Sequence, residues 1–214
     1  LKDNRGLFTR RIDLDLTARP SLNLLMASGR GGALRDRVAE LLIGPERPDV
    51  LVPIDEVFVL MPVELVDYID FYSSIHHATN MGRMMRPDGE PLLANWRQLP
   101  VAYHGRARTV VPSGTPVVRP EGLIPDGDGP AKLAPTRALD IELEVGFLVG
   151  GPPASRIEPD HADRHLFGVV LLNDWSARDV QAFENQPLGP HLAKSFATTV
   201  VTPRTAATSR KSAS

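Results

Sequence analysis

Residues 139–149 read LDIELEVGFLV and residues 167–174 read FGVVLLND. The first stretch begins with the alternation of a half-buried strand. Side chains point to opposite faces of a strand in turn, so Asp140, Glu142 and Glu144 share one face while Ile141, Leu143 and Val145 take the other. Three like charges in a row repel one another unless they meet water or a cation, and a solvated sheet face is the ordinary reading of such a row. The second stretch is a continuous apolar run that suits a strand buried on both faces, and it places Asp174 at the carboxyl end of that strand. Asp70, in DYIDFYSS at 67–74, is a further candidate acid. Oxygen-only ligands in a chain without cysteine suit Ca²⁺ or Mg²⁺ rather than zinc.

Outward from these strands the signals are mixed. Residues 33–43, ALRDRVAELLI, carry Leu34, Val38, Leu41 and Leu42 on one stripe of a helix, and Gly44 and Pro45 end it. Residues 57–61, VFVLM, are β-prone, and the Pro- and Gly-rich run from Pro112 to Pro135 reads as loops and short edge strands. Residues 202–214, TPRTAATSRKSAS, contain no large apolar side chain, so this segment reads as disordered. The class is β-rich α+β, with two or three helices added to short strands.

Composition narrows the functions. The 214 residues carry a formal charge of −2 with 42% hydrophobic residues, enough for a core and too near neutral for a general nucleic-acid or membrane-surface role. With no cysteine there are no disulfides, thiolate nucleophiles or thiolate metal sites, which is compatible with a reducing cytosol. No apolar run approaches the roughly 20 residues of a membrane span, and no signal peptide is visible behind Leu1.

Two further stretches offer chemistry. In NDWSARDVQAFEN, 173–185, Ser176 and Asp179 have capping-box spacing, so a helix is expected to begin at Ser176. It would display Arg178, Gln181 and Asn185 on one face, where a guanidinium and two amides could bind an anionic or carbonyl-bearing ligand, although an exposed polar face is the commoner outcome. His76 and His77 would point about 100° apart on a helix, so only one can face a site. Lys194 follows a PLGP turn, and most lysines are simply exposed.

Six ordered stretches, DFYSSIHHATNMG, NWRQLPVAYHGRA, SGTPVVRPEG, LDIELEVGFLVG, FGVVLLNDWSARDVQ and PLGPHLAKSFATT, resemble the fumarylacetoacetase family in the same order and at similar spacing. The likeness is dense from Asp67 to Thr199 and weaker around SLNLLMASG at 21–29. It implies the mixed β-sandwich or roll of that family's C-terminal domain, in incomplete form, with residues 1–66 as a remnant of the N-terminal domain and helical linker, 67–201 as a partial catalytic domain and 202–214 as the tail. The cation ligands would match Asp70, Glu142, Glu144 and Asp174, and a second cation site would match Asp174, Lys194 and Thr198. His77 would be the general base, with Arg178, Gln181 and Lys194 stabilising the oxyanion. Substrate contacts would match Tyr72, Arg86, Tyr103, Arg178 and Gln181.

The implied activity is dication-dependent hydrolysis of a β-diketone acid, 4-fumarylacetoacetate, to fumarate and acetoacetate, by a cytoplasmic homodimer at the end of tyrosine and phenylalanine breakdown. Three positions depart from the family: Asn185 stands where a Tyr is usual, Met85 where a Phe is, and His191, in PLGPHL, where another Phe is. The family continues past Thr199 with strands that supply the carboxylate orienting the base. Two other readings therefore stay open: another enzyme of the superfamily, such as an acylpyruvate hydrolase or isomerase, and an inactive remnant.

Overall fold

The computed structural model describes residues 19–45 and 59–201, with residues 16, 53 and 56. The expected disorder of 202–214 lies outside these residues. Two helices come first, α1 (Asn23–Ala27) and α2 (Gly31–Ile43). The second is the helix expected at 33–43. Gly44 ends it in an extended conformation, not a left-handed one, and its apolar stripe is incompletely covered, with Val38 and Leu42 exposed. The β-prone run at 57–61 forms no strand in its described part, 59–61.

The remainder alternates short strands and helices: β1 (Ile69–Phe71), α3 (Ile75–Met85), β2 (Ala102–His104) and β3 (Val110–Pro112). Then follow β4 (Glu121–Asp126), β5 (Gly129–Pro135), β6 (Leu139–Asp140), β7 (Leu143–Val149) and β8 (Leu166–Asp174). The series ends with β9 (Ser176–Ala177), α4 (Arg178–Glu184) and β10 (Thr198–Val200). Among the described residues the main sheet has four strands in the order β3-β10-β8-β7, and there are three two-stranded pairs, β1-β2, β4-β5 and β6-β9. This is the β-rich α+β class expected. β4 and β5 are the hairpin hidden in the Pro- and Gly-rich run, closed at Gly127, whose φ of 59° only glycine adopts readily.

The strand expected at 139–149 is real but divided. β6 pairs with β9, whereas β7 pairs with β8, so residues 141 and 142 are a bend at which the chain changes partner. The bend is pinned: the Glu142 N–H donates to the Asn173 side chain at 3.0 Å, and the Asp174 N–H donates to the Glu142 carbonyl at 3.0 Å. Pairing Glu144 with Leu172 and Thr198 with Asp174 then gathers polar side chains of three strands at one end of the sheet.

The run 167–172 is not buried on both faces. Leu172 is buried, but Val169 and Leu171 face outward, as do Leu143, Val145, Phe147 and Val149 across the ladder. The buried cluster is formed instead by β4, β5, β9, α4 and the chain before β10, where Ile124, Ala177, Val180 and Ala193 pack with Ala134 and Phe196. α4 sits on the hairpin here because Gly122 has no side chain: a Cβ would lie 2.5 Å from Val180 Cγ1. The capping box also fails. Ser176 belongs to β9 and donates to the Asp174 carbonyl, while Asp179 accepts from Thr136, Arg137 and Val180, so α4 begins at Arg178 with Ala177 as its cap.

Candidate functional site

The acidic row converges. Carboxylate oxygens of Glu142, Glu144 and Asp174 lie within 4.8 Å of one another, each delivered by a different part of the ladder: the β6–β7 bend, β7, and the end of β8. Asp140 is left out; it is exposed and accepts from Arg178 Nε at 2.9 Å.

Asp174 is fully buried. It accepts from Lys194 Nζ at 2.8 Å, from Thr198 Oγ1 at 3.1 Å and from Arg106 Nη2 at 2.5 Å. Lys194, expected to be exposed on ordinary grounds, is only 3% exposed and also donates to Glu142 Oε2 at 2.5 Å. Its loop is held by one carboxylate: Glu184 accepts from the backbone N–H of His191, Leu192 and Ala193 at 2.7, 3.1 and 2.8 Å.

Arg178 Nη1 donates to Glu142 Oε1 at 2.6 Å and to Gln181 Oε1 at 3.1 Å. Burial works to raise the Glu142 pKa, but the Lys194 and Arg178 contacts overcome it, and the group stays below the usual glutamate range.

Glu144 is different. Among the described residues no donor reaches its carboxylate. Burial, then the charges of Asp70, Asp174 and Glu142, push its pKa up to about 7. Four carboxylates here face three cations, and the uncompensated charge falls on Glu144. A hard dication would complete this donor set: its three candidate ligands offer oxygen only, those oxygens lie within 4.8 Å of one another, and one member lacks a partner.

Asp70 stands on β1 and reaches the cluster through a shared cation. Its Oδ2 accepts from the Tyr103 hydroxyl at 2.7 Å and from Arg106 Nη2 at 3.3 Å, the same nitrogen that meets Asp174. Arg106 is the group the sequence reading missed. Its side chain is 6% exposed, and its guanidinium lies over the Tyr68 ring at 5.1 Å and the Tyr103 ring at 5.7 Å. Gly105 lets the Tyr68 ring close on the backbone, since a Cβ there would strike it. Nothing in the spacing of YHGRA singles this arginine out, because its partners come from β1 and the end of β8.

The remaining expected residues do not join the network through any hydrogen bond among the described residues. Tyr72 follows β1, and the His77 ring meets it edge-on at 5.2 Å between centroids. His77 is exposed; its backbone N–H donates to Ser74 at 3.4 Å, and no described residue hydrogen-bonds its ring. His76 is exposed as well. Arg86 donates to the carbonyls of Glu90 and Pro91 at 3.3 and 2.6 Å, bracing the loop after α3. Asn185 is the C-cap of α4.

A β-rich domain that gathers three carboxylates, a buried lysine and arginines at one sheet end has a donor set that could hold a hard cation. The chain belongs to the family described as fumarylacetoacetate (FAA) hydrolase C-terminal, whose model matches residues 68–212, past the Val201 limit of the motif reading. Among curated proteins it is 46% identical to the fumarylacetoacetase of Caenorhabditis elegans over 202 residues, covering 87% of this chain and 48% of that one. To the fumarylacetoacetase of Arabidopsis thaliana it is 40% identical over 214 residues, 91% of this chain and 50% of that one. To that of Rattus norvegicus it is 52% identical over 145 residues, 65% and 34%. The chain thus spans about half the length, or less, of these relatives. A solved structure titled as a probable 2-hydroxyhepta-2,4-diene-1,7-dioate isomerase from Mycobacterium abscessus aligns at 22% identity with a TM-score of 0.40, over 76% of this chain and 49% of that one.

Proposed function

We propose that this chain carries the catalytic half of a fumarylacetoacetase, hydrolysing 4-fumarylacetoacetate to fumarate and acetoacetate at the end of tyrosine and phenylalanine degradation. The observation that carries the reading is Glu144, an unpartnered carboxylate beside Glu142 and Asp174 in a cluster whose other members are paired. Asp70, Glu142, Glu144 and Asp174 would hold Ca²⁺ or Mg²⁺, and Lys194, Thr198 and Asp174 the second cation position. A hard dication, when bound, supplies Lewis-acid polarisation of the substrate's two keto oxygens.

The chain's own residues do the rest. His77 takes a proton from the attacking water at a ring nitrogen. Arg178, held beside Gln181 by the 3.1 Å contact, presents N–H donors where negative charge develops, and Lys194 adds an ammonium. Tyr72, Arg86, Tyr103 and Gln181 orient the substrate, with Arg86 suited to a carboxylate. The division into 1–66, 67–201 and 202–214, a homodimeric assembly and a cytoplasmic location belong to the same proposal. Among the described residues no helix is long and apolar enough to cross a membrane.

The test pairs calorimetry with turnover. The folded protein should bind Ca²⁺ or Mg²⁺, and His77→Ala should lower hydrolysis about 10²–10⁴-fold with metal binding intact. No binding to folded protein at millimolar dication refutes the metal site. Turnover of acylpyruvates with none of fumarylacetoacetate moves the chain to another branch of the superfamily. Metal binding without any turnover makes it a remnant.

A further inference from the structure

We propose that Arg106 is the positioning residue of the metal site, the group that ties Asp70 to Asp174 and so presets two carboxylates that come from separate sheets. The inference rests on the metal site proposed above and adds a residue to it. Asp70 is on β1, paired with β2, and Asp174 ends β8 in the main sheet. Among the described residues no backbone ladder joins the two sheets. Their side chains meet on one nitrogen: Arg106 Nη2 lies 2.5 Å from Asp174 Oδ2 and 3.3 Å from Asp70 Oδ2, while Nη1 meets the Tyr103 hydroxyl at 3.3 Å.

The guanidinium occupies the Oδ2 of each aspartate, so each Oδ1 is free of Arg106; the Asp174 Oδ1 keeps only the Thr198 hydroxyl. Nη2 serves both carboxylates while Nη1 holds the Tyr103 hydroxyl in the same plane, and a lysine ammonium, which has no second nitrogen, cannot keep that three-way geometry. The guanidinium plane is fixed in turn by the Tyr68 and Tyr103 rings. The arrangement also leaves the buried Arg106 Nε–H without an acceptor. Buried donors are nearly always paired, so a residue kept only for stability is a poor explanation of this one.

Charge and positioning predict opposite signs. A positive charge beside a cation site repels the cation, so if Arg106 acted by charge alone, Arg106→Gln would tighten dication binding. If Arg106 positions the aspartates, both Arg106→Gln and Arg106→Lys should weaken it, by the roughly 10–100-fold usual for groups that orient metal ligands. The experiment is calorimetric titration of the intact protein with Ca²⁺ and with Mg²⁺ alone, beside thermal unfolding in chelator. The expected result is weaker binding by both variants, Arg106→Lys included although it keeps the charge. Tighter binding by Arg106→Gln, or unchanged binding by Arg106→Lys, overturns the proposal. If Arg106→Gln does not fold, Arg106→Lys decides. If the wild type binds no dication, the metal site fails and this inference with it; if the wild type binds and the variants bind equally well, only the role of Arg106 fails.

Discussion

Glu144 is the carboxylate that no described donor reaches, and its titration gives the site a measurable signature. Its ordinary pKa is 4.5 and burial with its acidic neighbours pushes it up to about 7. Between those values the metal-free folded chain holds a proton that the unfolded chain has released. The stability linked to Glu144 is therefore fully present below about 4.5 and lost as pH rises through about 7. Glu144→Gln keeps the shape and removes the charge. In chelator it should raise the melting temperature relative to wild type at about pH 8 and change it little at about pH 5. With Ca²⁺ present the same substitution should weaken binding, because a ligand oxygen with charge has been lost. Thermal unfolding at the two pH values, with and without Ca²⁺, checks both signs; a variant no more stable than wild type at the higher pH would show that Glu144 is not the strained member of the cluster.

At the scale of the element, the loop that delivers Lys194 hangs on Glu184 at the end of α4. Three consecutive N–H groups, 191 to 193, donate to that one carboxylate, and the Ala177 N–H fixes the Ala193 carbonyl at 2.9 Å. Glu184→Ala removes the acceptor from all three and should cost about 1–3 kcal/mol. Amide exchange at residues 191–194 should speed up, while exchange in β7 and β8 stays slow; equal protection of the loop in both proteins would count against the tether. None of this was legible in the sequence, since Glu184 and His191 are seven residues apart and nothing in the spacing marks a carboxylate as a loop anchor. Elements with their own periodicity were legible: the helix at 33–43, the strand read at 139–149, which the structure divides, and the acid at the end of β8. What depended on pairing was not. The bend at 141–142 exists because the chain passes from β9 to β8 as partner, and the expected capping box is lost because Asp179 turns to Thr136 and Arg137. For the site, the acidic row and the family motifs pointed to Glu142, Glu144 and Asp174, whereas Arg106 gave no signal because its contacts are long-range.

At the scale of the whole molecule, the main sheet has two unlike faces. One carries Leu172 and the acids. The other carries Leu143, Val145, Phe147, Val149, Val169 and Leu171 in cross-strand register, Val145 opposite Leu171 and Phe147 opposite Val169. Leu143 is 77% exposed and Val169 61% exposed, far beyond the scattered apolar residues that any surface shows. A contiguous apolar face of this kind drives association, and β7 is an edge strand among the described residues, so its free backbone groups add a template for pairing. The 214 residues expressed by themselves should accordingly be poorly soluble and bind a hydrophobic dye. The cause can be separated from a general lack of folding. Phe147→Lys with Val169→Glu puts opposite charges on facing positions of the ladder, which contributes a cross-strand pair while breaking the patch. Because both side chains point away from the acids, Ca²⁺ binding should be unchanged, while the soluble fraction rises and dye binding falls. Sedimentation and dye titration of the two proteins give the answer. A wild-type chain that is already monodisperse with one cooperative transition would show that the outward face is not the source of instability, and a double variant that stays insoluble would place the fault in the fold itself.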